Sequence, residues 1–163
     1  MGYFNSVHRF GVGNFYMKCQ DVGISGVIIS DIPLIELKER YLMYSKRYNI
    51  PHILMVTPST PIQRIRMIDD LSDSFIYAVS NSSTTGNENN EMSLDVSYLK
   101  MLQSLHLKNP IMVGFGINNS KTFEIACKHA NGAIVGTAFL KYIANCESNL
   151  HEAVKWFVSS IKS

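Results

Sequence analysis

The sequence predicts an α/β domain in which a parallel sheet is covered by helices. Three observations carry this. Short apolar segments, Gly26–Ser30, His52–Val56, Phe75–Val79, Ile111–Gly114 and Ala133–Gly136, alternate with stretches of helical periodicity. Most of these segments are β-branched and uniformly apolar, as in parallel strands buried on both faces. Their starts lie 22 to 36 residues apart, the spacing of a βα repeat. A full eightfold barrel needs about 250 residues. The chain has 163, with five strands and the tail of a sixth at Met1–Phe4. By that count it is either an open doubly wound sheet or a barrel whose beginning is missing. One domain, residues 1–163, is expected.

The helices follow in order. Asn14 is positioned to cap a helix with Phe15, Cys19 and Val22 on its apolar face. Pro33 opens a helix with Leu34, Leu37 and Tyr41 inward and Glu36, Lys38, Glu39 and Arg40 outward. Thr60-Pro61 sets a cap residue before a proline at the first helical position, and Ile62, Ile65 and Ile68 then recur. Tyr98, Leu102 and Leu105 make the next stripe. Ser120 caps a helix with Phe123, Cys127 and Ala130 inward. The last helix runs from Leu150 to Ile161, with Val154, Phe157 and Val158 buried and Trp156 at the rim or in the core.

Composition removes several classes. With 46% hydrophobic and 17% charged residues the chain is not a disordered one. A net charge of +2 gives no electrostatic reason for nucleic acid as a partner. Three scattered cysteines, Cys19, Cys127 and Cys146, and five scattered histidines give no metal-ligand spacing. They fit a reduced, cytoplasmic protein. No apolar run is long enough to span a membrane, and no signal peptide is visible. Met1-Gly2-Tyr3-Phe4-Asn5-Ser6 fits the loose myristoylation pattern, a chance match because nothing else would help a lipid anchor the chain.

In either architecture ligands bind beyond the C-terminal ends of the strands. Asp31, Thr57 to Thr60, Ser80 to Glu91, Phe115 to Asn118, and Thr137-Ala138 occupy those places. Two successive glycine corners, at Gly114-Phe115-Gly116 and at Gly136, lead into helices. Glycine lets backbone N–H groups approach a ligand, and helix N-termini add donors. Two such corners in a row favour a phosphate site over two ordinary tight turns. The polar stretch from Ser80 to Glu91 reads equally as a lid offering Thr85 and Gly86 to a ligand or as a surface loop. Asp31 is the only carboxylate directly after a strand, and it serves equally as a cap before Pro33. General acid–base chemistry needs a paired set of titratable groups, which these strand ends lack.

Seven segments, in order, carry a resemblance. They are Tyr3-Phe4-Asn5, Gly23 to Pro33, Val56 to Pro61, Tyr77 to Ser80, Thr84-Thr85-Gly86, Val113 to Ile117, and Gly132 to Ala138. Together they resemble the tryptophan synthase α subunit family, from the end of its third barrel strand to its C-terminus. The resemblance implies a (β/α)8 TIM barrel, incomplete here. It implies a lyase of tryptophan biosynthesis that cleaves indole-3-glycerol phosphate to indole and glyceraldehyde 3-phosphate by a retro-aldol reaction. No cofactor is expected in this subunit. Pyridoxal phosphate is expected in a β-subunit partner, within an α2β2 assembly.

The same resemblance implies that Gly116, Gly136 and Thr137 bind the phosphate. Thr85 and Gly86 belong to a closing loop, Tyr3 and Tyr77 line the cavity, Asp31 sits at its mouth, and Ile28 and Met55 help form the indole slot. The family's catalytic glutamate and aspartate would precede Met1. Ser83-Thr84 stands where Gly-Val is usual, Asn81 where arginine is common, and Ser6 where proline is frequent. The expectation is that this chain alone is inactive and self-associates. Two rival readings are a non-catalytic activator of the β subunit and another phosphate-binding barrel enzyme of biosynthesis.

Overall fold

The computed structural model describes residues 1–80, 94–146 and 149–162. These group into two compact units. One is Met1–Val56 with Thr60–Tyr77; the other is Thr57–Ser59 with Ala78–Ser163.

Four strands, β1 (Leu54–Val56), β2 (Ile76–Val79), β3 (Ile111–Gly114) and β4 (Gly132–Ala133), form one sheet in the order β1-β2-β3-β4. Single parallel bridges continue that order on the β1 side: Val27 pairs with His52, and Gly2 with Ile29. The strand order therefore follows the chain without reversal. An open doubly wound sheet reverses its order at a switch point, whereas a barrel does not. Of the two architectures left open by strand count, the barrel is the one adopted.

The expected strand at Gly26–Ser30 is reduced to those two bridges. Val27 N–H donates to Pro51 O at 3.0 Å, and Ser30 N–H to Gly2 O at 3.2 Å. Pro51 has no N–H to return, and the flanking segment becomes helical at Phe4, so a continuous ladder never develops on either side. The expected strand at Ala133–Gly136 is likewise shorter and earlier, because Gly136 is taken as the N-cap of the following helix.

Unit one begins with a helix that the periodicity did not announce, α1 (Phe4–Phe10), followed by α2 (Val12–Asp21). Gly11, at φ 90, separates them and caps α2, so Asn14 lies inside the helix instead of at its start. Tyr16 and Cys19 form the buried face of α2, while Val22 is exposed. Pro33 precedes a helical run, α3 (Leu34–Glu36), a π-helical turn (Leu37–Tyr41) and α4 (Leu42–Tyr48), with Leu37 and Tyr41 fully buried as expected. Pro61, expected as the first helical residue, is instead the N-cap of α5 (Ile62–Leu71), so the helix starts one position later than expected; Ile65 and Ile68 are buried and Ile62 is exposed.

In unit two, α6 (Val96–Ser104) buries Tyr98, Leu99 and Leu102, with Asp95 as its cap. Asn119, not Ser120, caps α7 (Ser120–His129). Ala126 is its buried residue, and Cys127, one position on, is exposed, which corrects the expected inward stripe. The chain ends with α8 (Thr137–Ala144) and α9 (Leu150–Lys162). Ala153, Phe157 and Ile161 are buried on α9; Val158 and Trp156 are exposed. Among the described residues no helix is long and apolar enough to cross a membrane.

Candidate functional site

In unit two the two glycine corners are brought side by side by register. Val113 of β3 pairs in parallel with Ala133 of β4, and Ile134 N–H donates to Val113 O at 2.7 Å. Gly116 and Gly136 are each the third residue beyond that rung. Their local geometries differ. At the β3 end, Phe115 (φ 63) and Gly116 (φ 78) are consecutive left-handed residues, and Ile117 is buried behind them. At the β4 end, Gly136 (φ −109) is the N-cap of α8 and Thr137 its first residue.

The starts of the two following helices are chemically distinct. In α7, a capping box satisfies the first turn. Thr122 N–H donates to Asn119 Oδ1 at 2.9 Å, and Asn119 N–H donates to Thr122 Oγ1 at 3.2 Å. Asn118 N–H also reaches Thr122 Oγ1, at 3.1 Å. In α8 no side chain among the described residues caps the first turn. The amides of Thr137, Ala138 and Phe139 precede the first intrahelical bond, Leu140 N–H to Gly136 O at 3.1 Å, so they have no acceptor within the helix. A side chain at Gly136 would meet no atom within 4 Å. The backbone there faces open space, with the positive end of α8 behind it.

In unit one, Tyr3 and Ile28 lie in one apolar depression of about 570 Å³, with Val7, Phe10, Ile24 and Ile29. Gly2 N–H donates to Ile28 O at 2.8 Å and holds the two segments together. Tyr3 is exposed and is the N-cap of α1. Asp31, also exposed, accepts the Phe4 N–H on Oδ1 at 2.6 Å. It therefore caps α1 and not the helix after Pro33, whose first turn has no side-chain cap. Met55, half-buried in β1, and Tyr77, buried in β2, do not line the depression. Burial raises the Tyr77 hydroxyl pKa above its ordinary value. Thr85, Gly86, Asn81, Ser83 and Thr84 fall outside the described residues.

Two features escaped the sequence reading. Ser80, read as the start of a polar loop, is fully buried and bonded to the end of β3. Its only signal was its place, a hydroxyl closing an apolar strand. The second is a buried polar cluster in unit one. The His52 imidazole Nε2 is hydrogen-bonded to the Tyr16 hydroxyl, and the Tyr41 ring meets His52 edge-on at 6.2 Å. Burial lowers the His52 pKa to about 4 and raises Tyr16 well above the usual phenol range. None of the three lines the depression. Among the described residues no group of three or more His, Cys, Asp or Glu side chains is arranged to hold a metal.

Comparisons with known proteins identify the family. A family model described as tryptophan synthase alpha chain matches residues 1–162. The tryptophan synthase alpha chain of Bacteroides thetaiotaomicron is 44% identical over 140 residues, which are 86% of this chain and 55% of that protein. That of Flavobacterium psychrophilum is 41% identical over 161 residues, 99% of this chain and 62% of that one. A solved variant of the tryptophan synthase alpha-subunit from Pyrococcus furiosus superposes with a TM-score of 0.79 at 28% identity, covering 98% of this chain and 63% of that one. Another similar structure is that of the α2β2 complex from the same organism, TM-score 0.75 at 27% identity, with the same coverage. The chain thus spans between about half and two thirds of the length of the relatives it matches. On the model match and these identities, the chain belongs to the tryptophan synthase alpha chain family.

Proposed function

We propose that this chain supplies the phosphate-binding and part of the indole-binding wall of an enzyme that cleaves indole-3-glycerol phosphate to indole and glyceraldehyde 3-phosphate. The observation that carries the reading is the contrast between the two helix starts. The first turn of α7 is satisfied by its own capping box, whereas that of α8 has amides without an intrahelical acceptor beside an unobstructed glycine. A dianionic phosphate placed there accepts from Gly136, Thr137 and Ala138 amides and meets the positive end of the helix. The left-handed turn at Phe115-Gly116 adds the Gly116 amide from the neighbouring strand.

Retro-aldol cleavage breaks the bond between indole C3 and the glycerol chain. A proton must arrive at C3 while the adjacent glycerol hydroxyl loses one, which requires a paired acid and base. The residues for that work, a glutamate and an aspartate by family resemblance, are expected in the part of the relatives that this chain does not match. In this reading residues 1–163 hold the substrate phosphate, and the acid–base pair belongs to the part of the fold that they do not cover. No organic cofactor enters the reaction at this subunit. A β subunit is the proposed partner, the Pyrococcus furiosus relative being described as an α2β2 complex; pyridoxal phosphate is proposed for that partner and not for this chain. The cytoplasm is the proposed compartment.

The test is an amide-resolved NMR titration with indole-propanol phosphate, a non-cleavable analogue. Gly116, Gly136 and Thr137 should shift together and saturate. Shifts confined to other residues would remove the assignment. Full activity of the purified chain in an indole-release assay would show that the acid–base pair lies within it.

A further inference from the structure

Ser80 follows directly on β2 and is fully buried. A buried hydroxyl has to find a partner, and this one finds two. Its Oγ–H is directed at Gly114 O, 3.0 Å away, and at Phe115 O. Its own N–H also donates to Gly114 O, at 3.1 Å, and its carbonyl accepts the Asp95 N–H at 3.4 Å. One residue thus fastens the last two carbonyls of the β3 end to the end of β2 and to the residue that caps α6.

The fastening has a directional consequence. No peptide bond here is cis. In a trans peptide the C=O and the following N–H point in opposite directions. With Gly114 O and Phe115 O both drawn towards Ser80, the N–H groups of Phe115 and Gly116 are turned away from it. Those two residues sit at φ 63 and φ 78, a pair of left-handed conformations that for Phe115 is strained and persists only where the surroundings impose it. The Ser80 hydroxyl, fully buried and bonded to both carbonyls, is such a surrounding.

We propose that Ser80 is a positioning residue, whose buried hydroxyl holds the Gly114 and Phe115 carbonyls so that the Gly116 amide faces the phosphoryl group. The inference rests on the phosphate site proposed above. Ser80 touches no substrate; it acts through Gly116. It also explains why a serine ends a strand whose other residues are apolar.

The test compares the wild-type chain with Ser80→Ala and Ser80→Cys, the second nearly isosteric but a much poorer hydrogen-bond donor. Each is titrated with glycerol 3-phosphate and followed at the Gly116 and Thr137 amides. In the wild type both amides shift. In the variants the affinity falls about five- to tenfold, the worth of one lost hydrogen bond. The Gly116 shift is lost, while the Thr137 shift remains. A role limited to stability would lower the melting midpoint and leave the Gly116 shift of the folded fraction intact; that result overturns the proposal. So does wild-type affinity with a wild-type Gly116 shift in either variant. If the Ala variant does not fold, the Cys variant makes the same comparison. A wild-type chain in which neither amide responds refutes the phosphate site itself, and Ser80's role with it.

Discussion

Acidification from pH 7 to pH 5 should destabilise this chain through one residue, His52. The imidazole is fully buried. Tyr16 of α2 meets it at Nε2, and Tyr41 of the π-helical turn packs edge-on; neither is a negative charge that would welcome a proton. Among the described residues Nδ1 has no hydrogen-bond partner. Burial therefore lowers its pKa from 6.5 to about 4. The sign follows directly. Above pH 6.5 the imidazole is neutral in the folded and unfolded chains, and its full contribution to stability is present. Between pH 6.5 and 4 the unfolded chain binds a proton that the fold rejects, so stability falls as pH falls.

Between pH 7 and pH 5 the loss from this group is about 2 kcal/mol, at roughly 1.4 kcal/mol per unit of pKa difference spanned. That is a large share of the 5–15 kcal/mol typical of a domain. Urea unfolding across this range would measure it, with His52→Gln as the comparison. The wild type should lose about 2 kcal/mol more than the variant. Direct titration of the imidazole by NMR gives an independent check. A His52 signal that titrates near pH 6.5 in the folded chain, or equal losses in wild type and variant, would refute the reasoning.

Three further outcomes are expected. Gly136→Ala should still fold, because no atom lies within 4 Å of the new methyl; calorimetric titration with glycerol 3-phosphate should show at least about a tenfold loss of affinity, and unchanged affinity would argue against the α8 site. Asn119→Ala should cost about 1 kcal/mol in urea unfolding by removing the acceptor for Thr122 N–H, and a neutral result would mean that the capping box contributes nothing. The depression around Tyr3, Phe10 and Ile24, all exposed apolar residues, should drive self-association visible by sedimentation velocity at micromolar concentration, and a strictly monomeric profile would count against it.

The class of the fold was legible because buried parallel strands are uniformly apolar and their spacing repeats. Segments 76–79 and 111–114 were readable from composition alone, and so were the inward Leu37, Tyr41, Ile65 and Ile68. Gly116 and Gly136 were legible as corners because glycines at strand ends are rare without a backbone reason. Errors gathered where a one-residue choice depends on geometry. Asn119 displaced Ser120 as a cap because Thr122 lay at the right distance to return the bond, and Ala126 stands in the core where Cys127 was expected because the buried face is set by what the helix packs against.

Local pattern, then, determined the α/β class, the order of the elements and the glycine corners, since these rest on periodicity and backbone freedom that neighbours in sequence carry by themselves. Tertiary structure alone decided the strand order without reversal, Asp31's bond to the start of α1, the burial of His52 beside Tyr16, and the hold of Ser80 on the end of β3. The three side-chain bonds join residues 27 to 36 positions apart, and no local pattern encodes which distant partner a buried polar group will find.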